Sequence, residues 1–409
     1  MAEFFFVTCP RGLEHGLAHE LTALGALKTT VTDGGVKCEA NDIEFMYHAN
    51  LESRLASRIL WKIDEGHYTS ENDLYNTAYQ LRWERFFSVD KTLKIQVTGI
   101  HSPLQSLNFA TLRIKDAICD RFRLNYAKRP SVDTSYPDIR IHAFLEKQHY
   151  TFYFDTSGEA LFKRGWREET QEAPVRENLA AGILHLAGWT PDTPLFDPFC
   201  GSGTFLIEAA HQQLKRAPGL KREFAFKHLL IYNREQWESI HQAAVKRYET
   251  ERELTLSKKT MLFLGRDIHE DTLRKARYNA VVAGVEPFIQ FEFGDIRKLL
   301  TAPFEKGVWL CNPPYGVRLS DQKALEELYP ELGTLLKQHF PGWRIYFFTG
   351  DQRLPKLIRL APTKRIPLFN GALECRLYEF VMMEGRPKLK QLQMNAGEKP
   401  LPTPNEDKS

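Results

Sequence analysis

The chain has 409 residues, 43% of them hydrophobic, which predicts two or three globular domains at about 150 residues each and excludes wholesale disorder. Its 55 Lys and Arg against 52 Asp and Glu leave a formal charge of only +3, so any nucleic-acid contact must come from local patches. No apolar run approaches the ~18 residues of a membrane span, and Phe4-Phe5-Phe6-Val7 is too short and lacks the basic leader of a signal peptide.

From residue 1 to about 155, short β-like runs alternate with amphipathic stretches. The runs are Phe4-Phe5-Phe6-Val7, Leu93-Lys94-Ile95-Gln96-Val97 and Tyr150-Thr151-Phe152-Tyr153-Phe154, and helical patterns cover 13–24 and 111–124. That mixture predicts an α+β region with antiparallel pairing. The second helix is expected to bury Leu112, Ile114, Ala117, Ile118 and Phe122. With its C-terminal flank it carries Arg113, Lys115, Arg121, Arg123, Lys128 and Arg129 against only Asp116 and Asp120. A charge run is usually a solvated face, but such a cluster is also what phosphate neutralisation requires. Gly158, Gly165 and a charge-rich run then mark a linker.

A steadier strand–helix alternation follows from about 175 to 385, with strands expected at 194–196, 261–264, 288–293, Val308–Cys311, Arg344–Thr349 and 377–383. This is the pattern of a doubly wound, mostly parallel sheet. Beyond it, Pro387, Pro400, Pro402 and Pro404 and the lack of an apolar period predict a disordered tail.

The first of these strands ends in Asp197-Pro198-Phe199-Cys200-Gly201-Ser202-Gly203-Thr204, a glycine turn opening a helix at 205–214. A dinucleotide fingerprint would place a third glycine where Leu206 stands, and a phosphate loop would carry a lysine that is absent. The turn suits a small ligand whose carboxylate meets backbone amides at a helix N-terminus. Asp267 and Asp295 end the next two strands, placed to accept from ribose hydroxyls and from an aromatic amine, although strand-end aspartates also cap helices. Together with the glycine turn they favour a nucleoside site.

After Val308–Cys311 comes Asn312-Pro313-Pro314-Tyr315. Two prolines force an extended backbone. The motif offers the Asn312 side-chain oxygen and the Pro313 carbonyl as acceptors, with Tyr315 as a stacking face. Accepting both hydrogens of a planar exocyclic amine frees its lone pair for attack. Cys200 and Cys311 adjoin these motifs, but transfer to an amine needs no covalent enzyme intermediate, so both are expected to be packing residues. The six scattered cysteines and the histidines show no ligand spacing, so no metal is expected, and a reducing cytoplasm is the expected location. Arg176-Glu177-Asn178 opens a helical run over 179–186, which Asn178 is placed to cap.

On these residues, 175–385 resembles a class I S-adenosylmethionine-dependent methyltransferase of the amino-methylating type. The resemblance implies a Rossmann-like domain with Asp197, Pro198, Cys200, Gly201, Ser202, Gly203 and Thr204 as cofactor loop, and with Asp267, Ile268, Asp295, Ile296 and Asn312 completing the cofactor site. Asn312, Pro313, Pro314 and Tyr315 would be catalytic. Aspartate followed by Pro-Phe-Cys-Gly-Ser-Gly-Thr is the variant of the RNA guanine-N2 methyltransferases. Upstream, Arg11-Gly12-Leu13-Glu14, Asp33-Gly34-Gly35-Val36, Arg129-Pro130-Ser131-Val132-Asp133, Asp155-Thr156-Ser157-Gly158 and Arg164-Gly165-Trp166-Arg167 are similar to the ferredoxin-like leader and RNA-binding THUMP module of that family.

The implied organisation is a leader over 1–42, THUMP over 43–156, a linker over 157–174, the methyltransferase over 175–385 and a tail over 386–409. The implied reaction is methylation of guanine N2 in 23S rRNA, free or in a large-subunit assembly intermediate. Transfer RNA guanine-N2, adenine-N6 in DNA, and a catalytically dead assembly factor are the rival readings. Some members carry a second methyltransferase, whose activity is not expected here. The N-terminal module is expected to be separable, so that the C-terminal part alone would still bind cofactor.

Overall fold

The computed structural model describes residues 2–167, 175–314 and 319–384, without the side chains of 319–322. The expected tail at 386–409, part of the expected linker and Tyr315 lie outside the described residues.

The first half runs β1 (Glu3–Thr8), α1 (Glu14–Ala23), β2 (Lys28–Thr32), β3 (Gly35–Ala40), α2 (Phe45–Glu52), β4 (Arg58–His67), α3 (Glu71–Gln80), β5 (Leu93–Ile100), α4 (Leu107–Tyr126), β6 (Ile139–Glu146) and β7 (His149–Asp155). All seven strands join one sheet in the order β2-β3-β1-β4-β7-β6-β5. Period-two burial makes the strands: in β6, Ile139, Ile141, Ala143 and Leu145 point inward and the residues between them do not. β4 pairs antiparallel with β1 on one side and β7 on the other, so the sheet continues without a break past residues 42 and 43. Only β5 and β6 pair in parallel.

The helix expected at 111–124 is the longer α4. Ser106 caps it by accepting the Phe109 N–H at 3.2 Å. Its buried stripe is Ala110, Ile114, Ala117, Ile118 and Phe122, whereas Leu112, expected within the stripe, is 52% exposed. Ala110 lies one turn before Ile114 on the buried face, whereas Leu112 is two positions from it and points to solvent.

The second half runs α5 (Glu177–Leu186), β8 (Leu195–Asp197), α6 (Thr204–Gln213), α7 (Arg234–Lys258), β9 (Phe263–Asp267), α8 (Glu270–Ala283), β10 (Ile289–Phe293), β11 (Val308–Cys311), α9 (Leu319–His339), β12 (Arg344–Thr349), α10 (Leu354–Ile358), β13 (Lys364–Asn370) and β14 (Leu373–Val381). The sheet order is β10-β9-β8-β11-β12-β14-β13. The pairs from β10 through β12 are parallel, and β14 is antiparallel to both β12 and β13. This is a Rossmann-like, doubly wound α/β domain with an antiparallel end. β13 was not expected from sequence, because Pro367 interrupts its apolar pattern; as an edge strand it tolerates a missing N–H. Among the described residues, no helix is long and apolar enough to cross a membrane.

The two halves do not separate as expected. One contiguous core runs from Phe5 through Leu377 and draws on both sheets. The Tyr47 ring of α2 lies 4.9 Å from Phe226, and its hydroxyl accepts the Asn233 N–H. Asn178 donates to Ser57 Oγ at 2.9 Å and to the Leu55 carbonyl, so it ties α5 to the N-terminal half instead of capping the helix, and its Oδ1 is buried with no hydrogen-bond partner among the described residues. Arg54 donates to the Arg216 carbonyl at 2.6 Å, beyond the end of α6. Gly219 donates to the Leu51 carbonyl, and a Cβ there would stand 2.9 Å from Leu51 Cα.

Removing residues 1–156 would therefore bare half of a core, and the remaining fragment should lose cooperative unfolding. Gly219→Ala should cost about 1–3 kcal/mol, because the neighbour that must yield is backbone. Urea unfolding followed by far-ultraviolet circular dichroism and by tryptophan fluorescence should give one shared transition. Two separate transitions would show independent halves.

Candidate functional site

β8 is only three residues long and lies inside the second sheet between β9 and β11, where the strand order reverses. The crevice of an open α/β sheet forms at that point, beyond the carboxyl ends of the strands. Asp197, Asp267 and Asn312 stand at the ends of β8, β9 and β11, so the topology gathers them on one edge.

The glycine turn is built by left-handed backbone. Gly201 has φ +52° and Gly203 φ +82°, and Gly203 opens α6. The Gly203 N–H reaches the Cys200 carbonyl at 2.8 Å, and the Cys200 N–H reaches the Arg266 carbonyl on β9 at 3.0 Å. Asn279 on α8 donates to the Ser202 carbonyl at 3.1 Å. Gly265 allows a close approach, since a Cβ there would lie 2.7 Å from Leu206 and 3.1 Å from Cys200. Pro198 is buried beneath the turn. Burial pushes the Cys200 and Cys311 thiols well up, which keeps both protonated as packing groups.

The three acids differ in environment. Asp197 is 1% exposed, accepts the Phe199 N–H, and is pushed well up by burial and by the neighbouring Asp267 charge. Asp267 accepts the Gly201 N–H at 3.1 Å with one oxygen and the His269 N–H at 3.0 Å with the other, so it ties the turn to β9. Asp295 caps the short 3-10 turn that follows it through the Arg297 N–H, and the Arg297 guanidinium grips both its oxygens. Arg297 holds that carboxyl below its usual range. The capping role anticipated for such acids is thus realised at Asp295, leaving few lone pairs for a ligand. Ile268 is 49% exposed beside Asp267, whereas Ile296 is buried in the second core.

Arg167 went unnoticed as a site residue. It donates to Thr204 Oγ1 at 2.6 Å and to the Val175 carbonyl, and its Nε lies 3.1 Å from Glu177, whose carboxyl burial pushes up. It clamps the head of α5 against the head of α6. Thirty-seven positions separate Arg167 from Thr204, and no local spacing signals the pair.

Asn312 follows β11 directly, and its Oδ1 is buried with no hydrogen-bond partner among the described residues. Such an atom costs about 1–3 kcal/mol when left unpaired, which marks it as an acceptor awaiting a donor. Pro313 is buried and Pro314 exposed. Tyr329 on α9 donates to the Pro314 carbonyl at 3.4 Å.

The basic cluster of α4 divides. Arg121 is paired with Glu84 at 2.7 Å in a half-buried contact, Arg113 lies over the Tyr75 ring and bonds Asn72, and Lys115 meets Asp116. Arg123, Lys128 and Arg129 instead surround an open pocket with Asp90 and Ser131, and Arg123 also pairs with Asp120. The six cations of the expected face are thus not equivalent: Arg113, Lys115 and Arg121 bond to neighbours along the stem of α4, and Arg123, Lys128 and Arg129 line the pocket at its C-terminal end. Among the described residues, no group of three or more His, Cys, Asp or Glu could hold a metal.

Comparison with known proteins agrees with this architecture. Three family models match: an RlmL ferredoxin-like domain over 4–60, a THUMP domain over 68–155, and an RMKL-like methyltransferase domain over 164–379. The chain is 39% identical over 391 residues to the ribosomal RNA large subunit methyltransferase K/L of Syntrophotalea carbinolica. The match covers 93% of this chain and 54% of that protein, so the chain spans about half the length of this curated relative. A "possible methylase" from Clostridium difficile 630 has a similar structure, with TM-score 0.83 and 31% identity over 95% of this chain and 100% of that one. The crystal structure of SMU.472 complexed with SAH gives TM-score 0.82 and 29% identity over 95% and 99%.

Because the fold holds the Asp197 carboxyl above its ordinary value, its contribution to stability is complete below the ordinary carboxylate range and is lost as pH rises through the folded value. Asp197→Asn should therefore make the ligand-free protein more stable at neutral pH than the parent and little different in acid. Urea unfolding across that range checks this, and parallel pH profiles for the two proteins would refute it.

Proposed function

We propose, from the premise that the chain belongs to the RMKL-like methyltransferase family, that it transfers a methyl group from S-adenosyl-L-methionine to the exocyclic N2 amine of a guanine in 23S rRNA. The observation that carries this reading is the buried, unpartnered Asn312 Oδ1 at the end of β11, next to two prolines and across the edge from Asp197.

The residues present fit the cofactor. The left-handed Gly201 and Gly203 leave a cradle at the head of α6, where first-turn N–H groups favour a carboxylate. Asp267 keeps lone pairs beyond its two backbone bonds to accept from ribose hydroxyls, and half-exposed Ile268 offers apolar surface beside it. Asp197 and Asp267 make one edge of the site acidic, as suits a ligand carrying positive charge. Bound there, S-adenosylmethionine supplies a methyl group on a cationic sulfur. The likeness to SMU.472, whose crystal structure holds SAH, supports the same choice.

Asn312 and the Pro313 carbonyl then accept the two amine hydrogens. This draws the nitrogen toward tetrahedral geometry and frees its lone pair. The surplus proton leaves after transfer, so no strong base is needed beforehand. Tyr315 is the proposed stacking face for a guanine turned out of its RNA context. Arg123, Lys128 and Arg129, on the THUMP-matched region, are the proposed phosphate contacts. The large-subunit name of the relative supports ribosomal RNA, or an assembly intermediate in the cytoplasm, as substrate.

Asp267→Ala should weaken S-adenosylmethionine binding, since each charge-assisted bond contributes about 1.5–3 kcal/mol. Calorimetry on the folded variant would show it, and an unchanged dissociation constant would sink the ribose assignment. Asn312→Ala should lower single-turnover methylation by roughly 10²–10³, by analogy with a lost oxyanion-hole donor, with cofactor affinity little changed. Mass spectrometry of the modified nucleoside in rRNA and in tRNA incubated with the enzyme decides the substrate. N2-methylguanosine confined to tRNA would overturn the ribosomal assignment.

A further inference from the structure

The acceptor segment has an unusual support problem. Pro313 and Pro314 have no N–H, so the chain leaving β11 cannot be anchored there by its own donors. Its geometry must be imposed from outside, and α9 lies against it. One stretch of that helix reaches three loops at the carboxyl edge of the sheet. Glu326 meets Arg353, which holds Asp351 after β12. Tyr329 donates to the Pro314 carbonyl at 3.4 Å. Glu331 lies 3.8 Å from Arg297, which grips Asp295 after β10.

Tyr329 is the centre of this set. Its side chain is fully buried, at 0% exposure, within the second core. A buried tyrosine hydroxyl ordinarily finds a partner, and a phenylalanine would fill the same space without one. Burial pushes the phenol up, so it stays protonated and able to donate, with Thr349 also within its reach. By occupying the Pro314 carbonyl, it ties down the residue next to the proposed acceptor pair and leaves Asn312 Oδ1 without a competing donor.

We propose that Tyr329 is a positioning residue for methyl transfer: its hydroxyl, through the Pro314 carbonyl, fixes the Asn312–Pro313 acceptors against the target amine. This rests on the amine-acceptor reading given above. A bond of 3.4 Å is long for O–H···O, and catalytic hydrogen bonds often tighten only in the substrate complex. The effect therefore falls on turnover rather than on binding.

The test compares Tyr329→Phe, Asn312→Ala and the double variant in the full-length chain. It reads kcat and KM with RNA, single-turnover rates, S-adenosylmethionine affinity by calorimetry, and thermal unfolding. Tyr329→Phe is expected to lower kcat about five- to tenfold, the loss of one hydrogen bond, with KM and cofactor affinity unchanged. In the Asn312→Ala background it should cost clearly less than in the parent, because one of the two acceptors that Tyr329 holds in place is already gone. Full turnover by Tyr329→Phe beside a crippled Asn312→Ala overturns the positioning role and leaves the acceptor reading standing. Independent, multiplying losses in the double variant also overturn it, since a merely structural effect would multiply. Near-normal turnover by Asn312→Ala instead removes the acceptor reading itself. Should Tyr329→Phe fail to fold, 3-fluorotyrosine placed at position 329 alters the same donor at nearly the same size. A changed rate at constant cofactor affinity supports the proposal, and an unchanged rate refutes it.

Discussion

Parallel pairing on both sides of a three-residue strand is the constraint on which the site depends. β8 is held between β9 and β11, so three strands stop side by side and bring Asp197, Asp267 and Asn312 to the same edge. The crossover helices must return on the faces of the sheet, which leaves that edge open where the order reverses. Close packing sets the fine geometry. Gly265 lets Leu206 and Cys200 approach β9, and the left-handed Gly201 and Gly203 fold the turn back over the strand end. A side chain at Gly265 would crowd the Leu206, Phe291 and Cys200 side chains that pack beneath the turn.

Three acids of one residue type acquire three characters from their surroundings. Burial beside another carboxylate pushes Asp197 up, Arg297 pulls Asp295 down, and Asp267 spends an oxygen on each of two backbone donors. An acid that is buried, short of partners and next to a second acid holds its proton more tightly, and a positive charge nearby would favour its ionised form instead.

The seam between the halves adds a second constraint. Arg164 is buried there with Glu208 and His211, beside the partly buried Arg54, and Arg164 donates to the Arg54 carbonyl at 2.7 Å. Burial pushes His211 well down, so it sits neutral among the arginines. Arg164 pairs with Glu208 inside the C-terminal half, and Arg54 crosses the seam by donating to the His211 and Arg216 carbonyls, so charge-assisted hydrogen bonds lock the halves together beside the shared core. The continuous core and this lock hold the α4 surface at a set place relative to the strand edge. Any RNA engaging both must match that spacing, because a hinge between them would have to open a shared interior.

The chain's one-dimensional pattern determined the strands with clean apolar runs, the glycine turn, and the motifs at the ends of β8, β9 and β11, because period, glycine and proline act on the backbone locally. It also carried the family resemblance that the matched models bear out. It did not determine β13, whose proline breaks the apolar pattern and which only pairing with β14 stabilises. Nor did it determine the outward turn of Leu112, the tie from Asn178 to Ser57, the clamp of Arg167 on Thr204, or the reach of Tyr329 to Pro314. Those depend on which surfaces meet after the chain collapses. Arg121 shows the difference most plainly: in sequence it is one cation in a basic run, and in the fold Glu84, thirty-seven positions away, neutralises it. Local periodicity records how a segment folds, whereas the partner of a charged or polar side chain is chosen by distant packing, which only the tertiary structure decides.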